Sequence, residues 1–179
     1  MGHRRIAHIA CFECERFSQE RLKGYTDALH EAGIPVDDEL IGYGDNSTKS
    51  GYNNTLRLFD LPDPPTAIFA GNDEMAIGTI IAMWHQGLHV PDDMSVIGFD
   101  DAPIVLQAFP YLTTVNQPIE QIARTSVDLL TNHIEGRNVK MEHVQVPTRL
   151  VIRQSCSLPR TGPLIKQVMH LSPLDGGIR

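Results

Sequence analysis

Two short apolar runs constrain this 179-residue chain more than any other feature: Thr66-Ala67-Ile68-Phe69-Ala70 and Met94-Ser95-Val96-Ile97-Gly98-Phe99. Each is too short for a helix and carries no charge. A strand buried on both faces reads as such a continuous run, the mark of a parallel sheet covered by helices on each side. Between the runs, a helix is predicted from a cap at Asn72 or Asp73 to about Gln86. It is apolar nearly all round, with Met75, Ala76, Ile77, Ile80, Ile81, Met83 and Trp84. A helix of that kind is buried on two sides or forms half of a subunit interface. Strand, helix, strand in this order implies right-handed crossovers within one parallel sheet.

The alternation extends in both directions. Arg5-Ile6-Ala7-His8-Ile9-Ala10 reads as a strand. Residues 18–32 read as a helix capped by Ser18, with Leu22, Tyr25, Ala28, Leu29 and Ala32 on one stripe, stopped by Gly33 and Pro35. Leu40-Ile41-Gly42-Tyr43 is a short strand. Residues 47–60 form a helix with Tyr52, Leu56 and Phe59 inward, ended by Pro62, Pro64 and Pro65. A fourth helix is predicted from Pro118 to about Gly136. Two short strands follow, Val144-Gln145-Val146 and Leu150-Val151-Ile152, around Pro147; after Ser155 the periodicity fades. The expected fold class is α/β, a doubly wound parallel sheet.

Hydrophobic residues at 41% and charged residues at 21% suit a globular domain with a core of its own. The net charge of −7 comes with no basic run longer than His3-Arg4-Arg5. A nucleic-acid-binding module shows a basic face, so the chain by itself is not expected to hold DNA or an anionic membrane. No apolar stretch reaches the roughly 18 residues that suggest a membrane-spanning helix. The opening Met1-Gly2-His3-Arg4-Arg5 lacks the apolar core of a signal peptide. Both features point to the cytoplasm.

The three cysteines, Cys11, Cys14 and Cys156, are too few and odd in number for a disulfide framework. Cys11-Phe12-Glu13-Cys14 has C-x-x-C spacing. It falls at a strand end rather than at a helix start, where the dipole would depress a thiol pKa. No second pair exists to complete a zinc site. Two ordinary loop thiols are the expectation, with no cofactor and no metal.

In open α/β sheets, ligands bind beyond the carboxyl ends of the strands. The residues delivered there are Cys11, Phe12 and Glu13, then Asp45 and Asn46, then Asn72 and Asp73, then Asp100 and Asp101. Arg21, one turn into the first helix, can reach the same edge. Such a rim of amides and carboxylates suits a small polar molecule such as a sugar or a base. Each member also has a structural reading: Asn72 and Asp73 as helix caps, Asp100 and Asp101 as a turn before Pro103, Arg21 as a surface ion pair, and Asp45-Asn46-Ser47 as a loop and cap. Catalysis finds no support. Gly-x-Ser-x-Gly and a phosphate-binding loop are absent, and the eight histidines form no metal-ligand spacing.

At the level of motifs the chain resembles the lactose-repressor-type (LacI/GalR) transcription regulators. Gly2-His3-Arg4-Arg5-Ile6-Ala7 is similar to their crossover strand, and Ser18-x-x-Arg21-Leu22-x-Gly24-Tyr25-x-x-Ala28-Leu29 to the helix after it. Ala70-Gly71-Asn72-Asp73-Glu74-Met75-Ala76-Ile77-Gly78 is similar to their central motif. Val90-Pro91-Asp92-Asp93-Met94-Ser95-Val96-Ile97-Gly98-Phe99-Asp100-Asp101 resembles their most recognisable block. Leu112-Thr113-Thr114-Val115-x-Gln117-Pro118 and Pro147-x-x-Leu150-Val151-x-Arg153-x-Ser155 complete the series in family order.

The resemblance implies a two-lobed, periplasmic-binding-protein-like core of which this chain is mostly the second lobe, without the helix-turn-helix head or the front of the first lobe. It implies second-lobe residues 1–113, a crossover and helix belonging to the first lobe at 114–143, return strands at 144–157, and a tail at 158–179. It implies that Arg21, Asn72 and Asp100 hold effector and that Gln117 stands at the cleft; Asp73, from its place at the strand end, joins them as a candidate ligand-binding residue. Asn46 occupies a position where several relatives carry an aromatic that stacks on the ligand; an Asn cannot stack that way. The implied partners are a small effector, sugar or nucleobase-like, a second copy joined through the second lobe, and operator DNA reached only through the head. A periplasmic solute-binding protein of the same fold is the alternative. A hydrolase or oxidoreductase on a doubly wound sheet lacks its motifs here. Finally, the stripe Ile119, Ile122, Ala123, Val127, Leu130 and Ile134 would pack on the first lobe in the family. It is expected here to be covered by the second lobe, by the tail or by a neighbouring chain.

Overall fold

A computed structural model describes residues 1–12, 16–137, 143–162 and 164. Six strands form one sheet: β1 (Ile6–Ala10), β2 (Ile41–Tyr43), β3 (Ala67–Ala70), β4 (Ser95–Asp100), β5 (Thr113–Asn116) and β6 (Arg149–Val151). Their order is β2-β1-β3-β4-β5-β6. The first five run parallel and β6 lies antiparallel on β5. Among the described residues four α-helices connect them: α1 (Arg16–Glu31), α2 (Thr48–Phe59), α3 (Asp73–His85) and α4 (Ile119–Ile134).

Side chains alternate across a strand, and the two faces of β1 divide accordingly. His8 points to α1, where it stacks on Tyr25 and on Phe69 of β3. Ala7 and Ile9 point the other way, into the core with Leu58, Ile68, Met75, Met83 and Val96. That core lies beneath α2 and α3. Gly51 and Gly78 bring these two helices together: a Cβ on Gly51 would strike the Met75 backbone, and one on Gly78 the Thr48 carbonyl. Between them the buried Thr55 hydroxyl donates to Gly51 O at 2.8 Å, while Thr79 donates to Met75 O at 3.1 Å and the two hydroxyls meet at 3.0 Å. The polar atoms inside the helix pair are thus satisfied, which removes the penalty of burying them.

Several sequence expectations shift. Helix α1 starts at Arg16, and Ser18 is a buried residue within it rather than its cap. Ser47 does cap α2, accepting from Ser50 N, and Asn72 caps α3, accepting from Met75 N. No strand forms at residues 144–146, and the last strand among the described residues is Arg149–Val151. The expected break between residues 113 and 114 falls inside β5, which pairs with β4 from Ile97↔Thr113 to Asp100↔Asn116. The expectation for α4 is overturned as far as the described part of this chain is concerned. No residue of α4 is buried, and Ile119, Val127, Leu130 and Ile134 are open to solvent. The reason is geometric: the helix leaves β5 through Gln117-Pro118, beyond the end of the sheet, rather than folding back onto it. Most of the tail proposed to cover it lies outside the described residues, as do Glu13 and Cys14.

Candidate ligand-binding edge

The carboxyl ends of the parallel strands gather the polar residues read from the sequence. Their backbone is unusual there. Asn46, Asp100 and Asp101 all have positive φ, at 68°, 118° and 59°. Left-handed backbone costs a non-glycine residue energy and collects at functional edges; Asn and Asp tolerate it best. Asp100 and Asp101 have different partners: Asp100 meets Gln117 and Arg21, and Asp101 meets Arg153 and Asn116.

Asp100, Arg21 and Gln117 form the centre of the edge. The Asp100 Oδ1 accepts from Gln117 Nε2 at 2.5 Å and lies 3.7 Å from Arg21 Nη2. Burial pushes the Asp100 pKa up, while the Gln117 hydrogen bond and the Arg21 charge pull it back. Arg21 donates through Nη1 to Gly71 O at 2.5 Å. Its guanidinium carbon sits 3.8 Å from the Phe99 ring centroid and 5.2 Å from that of Phe17. The side chain is only 14% exposed. The bland reading of Arg21 as a surface ion pair does not fit this placement: its plane is fixed against an aromatic face, with one nitrogen tied to a backbone carbonyl.

Asn72 and Asn46 are joined to each other. Asn72 Oδ1 accepts from Met75 N at 2.8 Å, and its Nδ2 donates to Asn46 O at 3.0 Å. The amide therefore caps α3 and braces the Asp45-Asn46 turn at once. Asp73 departs from the rim altogether. It is 1% exposed, with Oδ1 accepting from Thr114 Oγ1 at 2.6 Å and Oδ2 from Ala102 N at 2.8 Å. Desolvation raises its pKa to about 6, against the two hydrogen bonds that lower it. It ties α3, the loop after β4 and β5 together beneath the edge rather than presenting an oxygen on it. Asp101 has a similar role. It receives Arg153 Nη2 at 2.6 Å and Asn116 Nδ2 at 3.0 Å, and Arg153 also donates to Leu112 O at 2.8 Å. That cluster fixes the segment after β6 against β5.

Sequence reasoning missed the aromatic surroundings of Arg21. Phe17 stands one helical turn before it, at i−4, the spacing at which helical side chains meet. Phe99 follows from the alternation along β4. It also missed His8, fully buried between Tyr25 and Phe69 with Nδ1 donating to Phe69 O at 2.8 Å. Desolvation lowers its pKa to about 4, assisted by the Arg21 charge and opposed by that hydrogen bond. Cys11 is buried, with its sulfur 3.7 Å from Arg21 Nη1. Among the described residues no group of His, Cys, Asp and Glu is arranged to hold a metal ion.

The description "periplasmic binding protein-like domain" matches residues 1–156. The chain belongs to that family. Within it, the resemblance to LacI-type regulators is borne out by the relatives. A probable HTH-type transcriptional repressor, ExuR of Bacillus subtilis (strain 168), is 40% identical over 154 residues, covering 86% of this chain and 46% of that protein. The HTH-type transcriptional repressor CytR of Escherichia coli (strain K12) is also 40% identical over 154 residues, covering 86% and 45%. Among solved structures, a transcriptional regulator CelR–cellobiose complex superposes with a TM-score of 0.81 at 37% identity, covering 86% of this chain and 47% of that one. The chain thus spans a little under half the length of the curated relatives it matches. The six-stranded sheet with helices on both faces is the family's α/β fold, as the two apolar runs implied. This periplasmic binding protein-like domain has no helix, among its described residues, long and apolar enough to cross a membrane.

Proposed function

We propose that this domain is the effector-sensing part of a LacI-family transcriptional regulator. A small polar molecule, a sugar or a nucleobase, is held at the carboxyl edge of the sheet, and its binding controls DNA contact made by a head outside these 179 residues. The observation that carries this reading is the Arg21–Asp100–Gln117 cluster. It places one cation, one carboxylate and one amide together where open α/β sheets bind ligands. Asn72 and Asn46 form the adjoining wall. The CelR relative bound to cellobiose supports a sugar-sized effector, and the repressor relatives favour the regulator over a periplasmic solute-binding protein. The reading is one of binding without catalysis, in the cytoplasm where a DNA-controlling protein works.

The same reading pairs two copies through the second lobe. Trp84 on α3 is 64% exposed and Phe109, in the loop before β5, is 83% exposed, with Leu106 open beside it in sequence. These large apolar side chains left in solvent support such a pairing, which would cover them.

Calorimetry on the protein at its natural full length tests the effector site. Asp100→Ala leaves the ligand group it bonded unpaired, which costs about 1–3 kcal/mol, or roughly 5- to 150-fold in affinity. An unchanged affinity would move the site away from this edge.

A further inference from the structure

The first turn of α3 reaches to either side of β3. Asn72 holds the Asn46 carbonyl after β2, and Asp73 holds the loop after β4 together with β5. Asn72 already caps the helix, so α3 does not need the Asp73 carboxylate for its start. That carboxylate nevertheless sits where a charge is poorly tolerated. It is 1% exposed, and its charged neighbours Asp100 and Asp101 repel it; a buried charge without a counter-charge costs stability. Gly98, two residues before Asp100, lies so close beneath it that a Cβ there would collide with Oδ1.

The loop that Asp73 holds is strained. Asp100 and Asp101 have consecutive positive φ, a backbone that non-glycine residues keep only where the surroundings fix it. Gln117 N donates to Asp100 O at 3.3 Å, and Ala102 N donates to Asp73 Oδ2 at 2.8 Å. The second bond is the shorter, and its acceptor is a carboxylate, the stronger kind. The other oxygen of Asp73 receives Thr114 Oγ1 at 2.6 Å, three residues before Gln117. One buried group thus grips both the turn that carries Asp100 and the strand that leads to Gln117.

We infer that Asp73 is a positioning residue for effector binding: it never meets the effector, and it holds Asp100 and Gln117 in the geometry that does. The inference rests on the sensing role proposed above, because Asp73 acts only through that pair.

Hydrogen–deuterium exchange on the protein at its natural full length, without ligand, tests the holding. Asp73→Ala removes the acceptor of the Ala102 N–H, so that amide exchanges faster on any account. The diagnostic amide is Gln117, which Asp73 does not touch. It exchanges roughly tenfold or more faster, the scale of losing one hydrogen bond to a charged group, while the amides of β1 and β3 keep their protection. Asp73→Asn rescues the position, since its oxygen still accepts from Ala102 N and its amide donates to the Thr114 hydroxyl. Should Asp73→Ala not fold, Thr114→Val, which removes one of the two ties, carries the same test with a smaller effect. Unchanged exchange at Gln117, or faster exchange spread evenly over β1 and β3 as well, would overturn the inference. Calorimetry with cellobiose and with adenine as probes then tests the consequence. Asp73→Ala weakens whichever probe binds by roughly tenfold or more, and it adds a markedly smaller loss in the Asp100→Ala background. Equal losses in the two backgrounds would overturn the inference and leave the sensing role standing. Binding of neither probe at millimolar concentration would overturn the sensing role and with it this inference, even where exchange shows that Asp73 holds the turn.

Discussion

Acidification should expose the cost of His8. The ring is fully buried, stacked between Tyr25 and Phe69, and its pKa is lowered to about 4 from an ordinary 6.5. A group whose folded pKa lies below its unfolded value favours the unfolded chain as protons are added. The stability tied to neutral His8 is therefore complete above pH 6.5 and lost progressively as pH falls towards 4. Between pH 7 and pH 5 the loss is about 2 kcal/mol, from 1.36 kcal/mol for each unit below the unfolded pKa. Asp73 works in the opposite direction. Its folded pKa is raised to about 6, so its charged form is penalised and stability is lost as pH rises through 4 to 6. The same acidification thus returns about 1.3 kcal/mol through Asp73. The two nearly cancel in the wild-type protein and become visible only one at a time. His8→Leu fills a similar volume and cannot titrate. Urea unfolding followed by circular dichroism should show the variant gaining about 2 kcal/mol on the wild type between pH 7 and pH 5, a shift in midpoint of about 1 M. A gap between the two proteins that stays constant across those pH values would refute the account of a neutral, desolvated imidazole.

The partner experiment uses Asp73→Asn, which removes the opposing titration. Relative to the wild type, the variant should become less stable by about 1.3 kcal/mol on going from pH 7 to pH 5, read from the same urea midpoints. Gly78→Ala places a methyl group against the Thr48 carbonyl and forces α2 and α3 apart; calorimetric melting should report a loss of about 1–3 kcal/mol. Phe109→Glu introduces a charge at a site 83% exposed on the proposed pairing surface. It should shift sedimentation of the natural full-length protein from dimer to monomer while leaving the circular dichroism spectrum unchanged.

The sheet was legible because its buried strands had no choice of composition. Residues 66–70 and 94–99 meet helices on both sides, so no polar residue interrupts them long enough to hide the pattern. Residues 113–116 show no such apolar run, because Thr113, Thr114 and Asn116 are polar, yet they are a strand. Their polarity is used inside: Thr114 bonds Asp73, and Asn116 bonds Asp101. The same kind of partnership misled the reading of the edge. Sequence spacing delivered Asp73 and Asp100 alike to strand ends. Only the tertiary partners separate them: Thr114 and the Ala102 N–H take up Asp73 internally, while Asp100 faces Gln117 and Arg21. Asn72 illustrates a third case, since capping and bracing the Asn46 turn use the same amide. The exposed stripe of α4 was visible in the periodicity, but its direction depends on where Gln117-Pro118 points the chain, which no periodicity encodes.

That direction has a mechanical consequence. Helix α4 stands on the edge by a short root, and one residue of that root, Gln117, is fastened to Asp100. Sixteen residues of helix make a rod about 24 Å long. A tilt of only about 10° at the root therefore carries the far tip through roughly 4 Å, about three-quarters of a helical turn. A ligand group that took the Asp100 carboxylate from Gln117 would act on the short arm of such a lever, and the long arm would multiply the movement severalfold before it reached the apolar stripe at Leu130 and Ile134.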